Sequence, residues 1–147
     1  MKSLWQDDSK AEILRRIAEV DGGTKGKWGS FTADRMLSHL VESLKMAVGE
    51  LDVKSKKLPI RYFPLKQLIL YVLPFPKGTP TAPELLAGKA EPVDELKSEL
   101  RRLIAKFSEM AGRAEWHEHP AFGTMTKNAW GVLVYRHMDH HLRQFGV

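Results

Sequence analysis

The stretch Trp130-Gly131-Val132-Leu133-Val134-Tyr135-Arg136-His137-Met138-Asp139-His140-His141-Leu142-Arg143-Gln144 decides how this chain is read. Trp130, Leu133, Val134, His137, His141 and Gln144 recur at the helical period and fall on one side. An apolar core stripe therefore turns into imidazoles as the helix proceeds. His137 and His141 stand one turn apart on one face, so both can reach a single cation. A pair at this spacing also arises by chance in a chain with six histidines. Lone imidazoles on apolar faces are commonly satisfied core residues. The pair gains its meaning from a third histidine.

That histidine is His39, in Met36-Leu37-Ser38-His39-Leu40-Val41. Thr32 caps this second amphipathic helix, and Asp34 suits its first turn. Met36, Leu37, Leu40, Val41, Leu44 and Val48 form its apolar stripe, and Gly49 marks its end. If the two helices pack face to face, three neutral imidazoles converge. Three protein ligands are the count of a catalytic metal site, because coordination positions stay open for water or substrate.

Two further long helices are predicted. Asp8 or Ser9 caps the first, which carries Ile13, Leu14, Ile17 and Val20 and stops at Asp21-Gly22-Gly23. The other begins at Pro92, with Val93, Leu96, Leu100, Leu103, Ile104, Phe107 and Met110 as its stripe. The stretch from about 50 to 91 holds most of the prolines. It is read as irregular apart from one short helix, about Leu65 to Leu73. A connection this long is either a crossover between non-neighbouring helix ends or a mobile surface loop. Four long helices with one crossover make a four-helix bundle, whose core builds metal sites from facing helices.

Composition bounds the class. At 147 residues, 43% hydrophobic and 28% charged, the chain fits one domain over 1–147 with a real core. There are no cysteines, so thiolate ligands are excluded and any transition metal must be held by His or carboxylate. The start, Met1 to Asp8, turns acidic before an apolar core could form, unlike a signal peptide. The apolar run from Leu65 to Phe75 is broken by Lys66, Gln67 and Pro74 and is too short to span a bilayer. A cytoplasmic protein with no membrane partner is the expectation. The net charge is +5, but Lys25, Lys27, Lys54, Lys56, Lys57, Arg101 and Arg102 are scattered rather than gathered into a stripe. That pattern argues against nucleic acid as a partner.

Several blocks carry a resemblance. They are Lys27-Trp28-Gly29, Met36-Leu37-Ser38-His39-Leu40, His119-Pro120-Ala121-Phe122-Gly123, Trp130-Gly131, and Tyr135 through Gly146. Together, from about residue 8 to 147, they resemble an uncharacterised branch of the DinB/YfiT-like superfamily of metalloenzymes. The resemblance implies an all-α, up-down-down-up four-helix bundle, a three-histidine divalent-metal site on His39, His137 and His141, and a homodimer. Characterised members of that superfamily include transferases and isomerases that use low-molecular-weight thiols. Many of them end the site helix in His-His-Arg-Gly-Gln, whereas this chain reads His140-His141-Leu142-Arg143-Gln144. The Gln matches and the Arg-Gly does not.

Three neutral imidazoles leave a bound cation its full charge, which lowers the pKa of a coordinated thiol or water. Metal-activated thiolate attack on a small-molecule substrate, the favoured reading, and metal-activated hydrolysis both follow. A non-catalytic bundle that binds metal or a small ligand is the reading from another class. Zinc and nickel both suit imidazole. Three residues are candidate helpers: Gln144 at the site rim, Glu42 as an outer acceptor or base, and His140 beside the ligand face. Gln144 equally suits a cap on the bundle end, and Glu42 a solvated helix position. His117 and His119 lie in a loop, where His119-Pro120 reads as a turn feature.

Overall fold

The structure is a computed structural model that describes residues 1–75, 77, 81–86, 88 and 91–147. The described residues are helical, without a strand. The long helices are α1 (Asp7–Glu19), α2 (Ala33–Val48), α4 (Val93–Glu109) and α5 (Lys127–Gln144). Between α2 and α4, α3 (Leu65–Gln67) continues into a π-helical turn at Leu68–Val72, flanked by 3-10 turns at Pro59–Arg61 and Pro83–Leu85. The expected short helix and irregular remainder are thus both present. Positions 76, 78–80, 87 and 89–90 of the expected crossover lie outside the described residues.

Packing follows the stripes. α2 packs on α4 and α5, and α1 packs on the same two helices. Ile13 and Ile17 from α1, Met36, Leu37, Leu40 and Leu44 from α2, Leu100, Leu103 and Phe107 from α4, and Trp130 and Leu142 from α5 are buried together. Polar contacts pin the pairs. Arg16 of α1, itself buried, reaches the Asp139 carboxylate at 2.8 Å, and Tyr135 donates to Glu12 at 3.3 Å. Lys97 of α4 donates to the Ala18 carbonyl at 2.9 Å. Glu50, just past α2, pairs with Arg102 and Lys106, and Lys45 faces Glu99.

The caps differ from expectation at α1 and at α2, where Thr32 holds the cap position without a side-chain bond to the helix amides. α1 begins after Gln6 rather than after Asp8 or Ser9, so Asp7 and Asp8 lie inside its first turn. Carboxylates there meet the positive end of the helix dipole. Gln6 holds the cap position without a side-chain bond to the helix amides, and its Oε1 accepts from the Ser3 amide at 3.2 Å and the Ser9 hydroxyl at 3.1 Å. Thr126 caps α5, accepting from the Ala129 amide at 3.2 Å. Pro92 sits one position before α4. Gly49 closes α2 in the left-handed region, φ 82°.

The residues before α1 also belong to the core. Leu4 is fully buried, and its amide donates to the Gly131 carbonyl at 3.0 Å. Trp5 stacks on Phe107, with ring centroids 4.3 Å apart, and donates to the Lys127 carbonyl at 2.8 Å. No helix among the described residues is long and apolar enough to cross a membrane.

Candidate metal centre

The stripe on α2 carries His39 inward, and the stripe on α5 carries His137 and His141 to meet it. The three ring centroids are 4.9 Å apart in every pair. One ligand nitrogen from each ring lies within 4.8 Å of the others, and His39 Nε2 stands 3.0 Å from His137 Nε2. His39 is buried at 4% exposure, whereas His137 and His141 are half-buried. Three histidines this close can hold one metal ion. The sequence brought the same three together.

Two of the rings are oriented from behind. His39 Nδ1 lies 3.1 Å from the Leu85 carbonyl. A carbonyl only accepts, so Nδ1 carries the proton and Nε2 presents its lone pair to the cluster. His141 is fixed through Gln144. Gln144 donates its amide nitrogen to the Trp28 carbonyl at 2.6 Å, which turns its Oε1 toward His141 Nδ1, 2.9 Å away. His141 therefore also carries its proton on Nδ1. Carbonyl acceptors behind ligating imidazoles are what a histidine metal site requires to set tautomer and ring direction.

The loop that supplies Trp28 is built for this approach. Gln144 lies three residues after His141 and so shares its face. The Lys27 amide donates to the Gln144 carbonyl at 2.7 Å. Gly29 sits at φ 74°, and a Cβ there would stand 2.8 Å from Gln144 Nε2. Glycine is needed on both counts.

Burial keeps the three imidazoles neutral, the form that binds metal. It lowers the pKa of His39. His137 is pushed well below its ordinary value by burial first and then by His39 and His141. His141 is lowered to about 4, again by burial first and then by His39. Among the described residues no carboxylate joins the cluster, so the donor set is three neutral nitrogens.

Aromatic rings wall the centre. Phe31 lies 5.6 Å from His39 and 5.8 Å from His141 by ring centroid, and Phe75 lies 6.4 Å from His137. Arg136, the residue before His137, donates to the carbonyls of Ile69, Leu70 and Leu73 and lies 5.1 Å from the Phe75 ring. It thereby ties the π-helical turn to the site helix. Beside His39 a cavity of about 210 Å³ opens, lined by Phe31, Arg35, Ser38, His39 and Leu86.

The remaining candidates fall in different places. Gln144 is buried, with both ends of its amide engaged, so it braces His141 rather than facing the rim. His140 stands beside the ligands between Trp28 and Phe75, at 5.7 and 6.1 Å. Glu42 pairs with Lys45 at 3.1 Å, and among the described residues the hydrogen bonds of the three rings go elsewhere. His117 lies 3.0 Å from the Met46 carbonyl, away from the cluster. His119 is a turn residue: its Nδ1 accepts from the amides of Ala121 and Phe122 at 3.1 and 3.2 Å. Sequence reasoning missed the Leu85 and Trp28 carbonyls, Phe31 and Arg136. Backbone acceptors in irregular segments leave no pattern in side-chain identity. Phe31, one residue before the α2 cap, was readable only as loop.

A comparison with curated proteins finds no match, and neither does one with solved structures. The family of conserved sequences described as "Protein of unknown function (DUF1569)" matches over residues 3–146, nearly the whole chain, and the chain belongs to that family.

Proposed function

We propose that this chain is a metal-dependent enzyme that holds one divalent ion, zinc or nickel, on His39, His137 and His141 and uses it on a small-molecule substrate. The single observation that carries the reading is the pair of carbonyl-fixed tautomers. His39 and His141 both turn bare Nε2 atoms inward, and His137 Nε2 sits 3.0 Å from one of them. Lone pairs gathered in a buried pocket repel one another unless a cation or a proton lies between them. When bound, the ion would supply Lewis acidity sufficient to deprotonate a coordinated thiol or acidify water near neutral pH.

The chain's own residues supply the rest. Leu85 and Gln144 hold two ligands in direction, Phe31 and Phe75 exclude water from one side, and the cavity beside His39 gives a substrate access. A low-molecular-weight thiol is the favoured co-substrate, by the DinB-like resemblance. Hydrolysis is the second reading, kept open by the absence of Arg-Gly between His141 and Gln144.

The same reading takes residues 1–147 as one up-down-down-up four-helix bundle, cytoplasmic and homodimeric. Contacts support the topology. Glu12 with Tyr135 and Arg16 with Asp139 pair α1 and α5 in the same order. Lys45 with Glu99 and Glu50 with Lys106 do so for α2 and α4. Trp5 with Phe107 and Ala18 with Lys97 pair α1 and α4 in opposite order.

The deciding experiment uses protein purified without an affinity tag, because a histidine tag carries metal itself. Metal-loaded and chelator-stripped samples are compared on electrophiles with and without added thiols, and on activated esters. Turnover that needs both metal and thiol supports the transferase, and turnover needing metal and water alone supports the hydrolase. Equal behaviour of loaded and stripped protein across the panel would replace both with a non-catalytic, metal-stabilised bundle.

A further inference from the structure

The cavity beside His39 has a composition that the metal centre does not explain. Its walls are apolar at Phe31 and Leu86, and its floor carries Ser38, which is 5% exposed. A Cβ on Gly88 would stand 2.1 Å from the Ser38 hydroxyl, so the crossover backbone closes down on that side. One charge lines the cavity, the guanidinium of Arg35. Arg35 is exposed and pairs with no carboxylate among the described residues. Its neighbour Asp34 has its carboxyl held below the usual carboxylate range first by the Thr32 hydroxyl, then by the backbone amides of Arg35 and Asp34 and by the Arg35 charge.

An arginine without a partner at the mouth of an apolar cavity fits one kind of ligand. A guanidinium offers planar, forked donors that match a carboxylate or phosphate. Phe31 and Leu86 favour a compact apolar body behind that anionic head. At about 210 Å³ the space is smaller than the roughly 300–1,000 Å³ of drug-sized ligand sites, so the occupant is small. Phe31 touches both this cavity and two of the clustered imidazoles, which makes the two spaces neighbours.

We propose that the cavity lined by Phe31, Arg35, Ser38 and Leu86 is a subsite for a small amphipathic anion, whose carboxylate or phosphate is held by Arg35 and whose opposite end reaches the three-histidine centre. The anion subsite stands on the cavity itself. Its role in presenting a substrate rests on the metal-dependent reading above.

The test titrates benzoate, phenyl phosphate and the neutral isostere benzamide into stripped and metal-loaded protein, with binding followed by amide chemical shifts and calorimetry. Both anions should bind the stripped protein and shift the amides of Phe31, Arg35 and Leu86. Benzamide should bind at least about tenfold more weakly, as should both anions to Arg35→Gln, while Arg35→Lys retains part of the affinity. Arg35 is exposed, so neither variant threatens folding. Absence of anion binding, equal binding of benzamide, or unchanged affinity in Arg35→Gln overturns the proposal. Anion binding that appears only with metal and ignores Arg35→Gln also overturns it, because the anion then sits on the ion, and the metal reading survives. Arg35-dependent binding in a protein that takes up no metal upholds the subsite and removes the metal reading.

Discussion

Gln144 Oε1 accepts from His141 Nδ1 at 2.9 Å while the same amide donates to the Trp28 carbonyl at 2.6 Å. One side chain thus converts the position of a loop backbone into the direction of an imidazole lone pair. Gln144→Ala should keep the fold but lower divalent-metal affinity by roughly 10–100-fold, the usual loss when the partner behind a ligating histidine is removed. Gln144→Glu should fall between, since a carboxylate still accepts from Nδ1 but meets the Trp28 carbonyl without a donor. Competition with a chromophoric chelator measures both. Wild-type affinity in Gln144→Ala would remove Gln144 from the site.

The ligand set is tested by deletion. Alanine at His39, His137 or His141 should each abolish stoichiometric metal in untagged protein. His117→Ala should leave metal content intact and cost about 1–3 kcal/mol in denaturant unfolding, because it gives up the bond to the Met46 carbonyl and the ring contact with Trp130. Elemental analysis reads the first outcome. A fully metallated His39→Ala protein contradicts the three-ligand centre.

The three clustered histidines were legible because helical spacing puts His137 and His141 on one face, and because His39 lies in a second stripe with the same period. The long helices were legible for the same reason. What escaped was set by backbone position. The Leu85 carbonyl reaches His39 from a 3-10 turn in the crossover, and no residue type announces such an acceptor. Glu42 was a reasonable outer acceptor by period, yet Lys45, three residues on, takes its carboxylate. The first helix began earlier than its best capping residues, with Asp7 and Asp8 in its first turn and Gln6 outside it tied to the Ser3 amide and the Ser9 hydroxyl.

Gly131 explains one glycine of the C-terminal block. In an exposed helix interior, Gly→Ala ordinarily stabilises by about 1 kcal/mol. Here a Cβ would stand 2.2 Å from the Trp5 ring and 2.3 Å from the Ser3 hydroxyl. The clash outweighs the propensity gain, and the segment before α1 must undock. Gly131→Ala should therefore destabilise, by about 1–3 kcal/mol as for other overpacked sites, with a red shift of tryptophan emission as Trp5 leaves Phe107. Metal affinity should change little, since the clash lies away from the imidazoles. A variant as stable as wild type would show that Ser3 and Trp5 repack freely.

His119 supplies the pH prediction. Burial, then the nearby charges of His117 and Lys66, push its pKa down to about 3. Its Nδ1 also accepts from two backbone amides, and protonation would abolish that role. The folded pKa lies below the ordinary value of about 6.5, so the unfolded chain binds the proton first. The stabilisation is whole above about 6.5 and is lost as pH falls toward 3, at up to about 1.4 kcal/mol per pH unit. The clustered imidazoles of the stripped protein contribute with the same sign, so a difference measurement is needed. His119→Asn keeps an acceptor near the Ala121 and Phe122 amides but does not titrate. Urea unfolding of stripped wild type and His119→Asn at stepped pH should give stability curves that converge from pH 7 to 4, the wild type falling faster. Parallel curves over that interval would mean that His119 is protonated in the fold or already neutral in the unfolded chain.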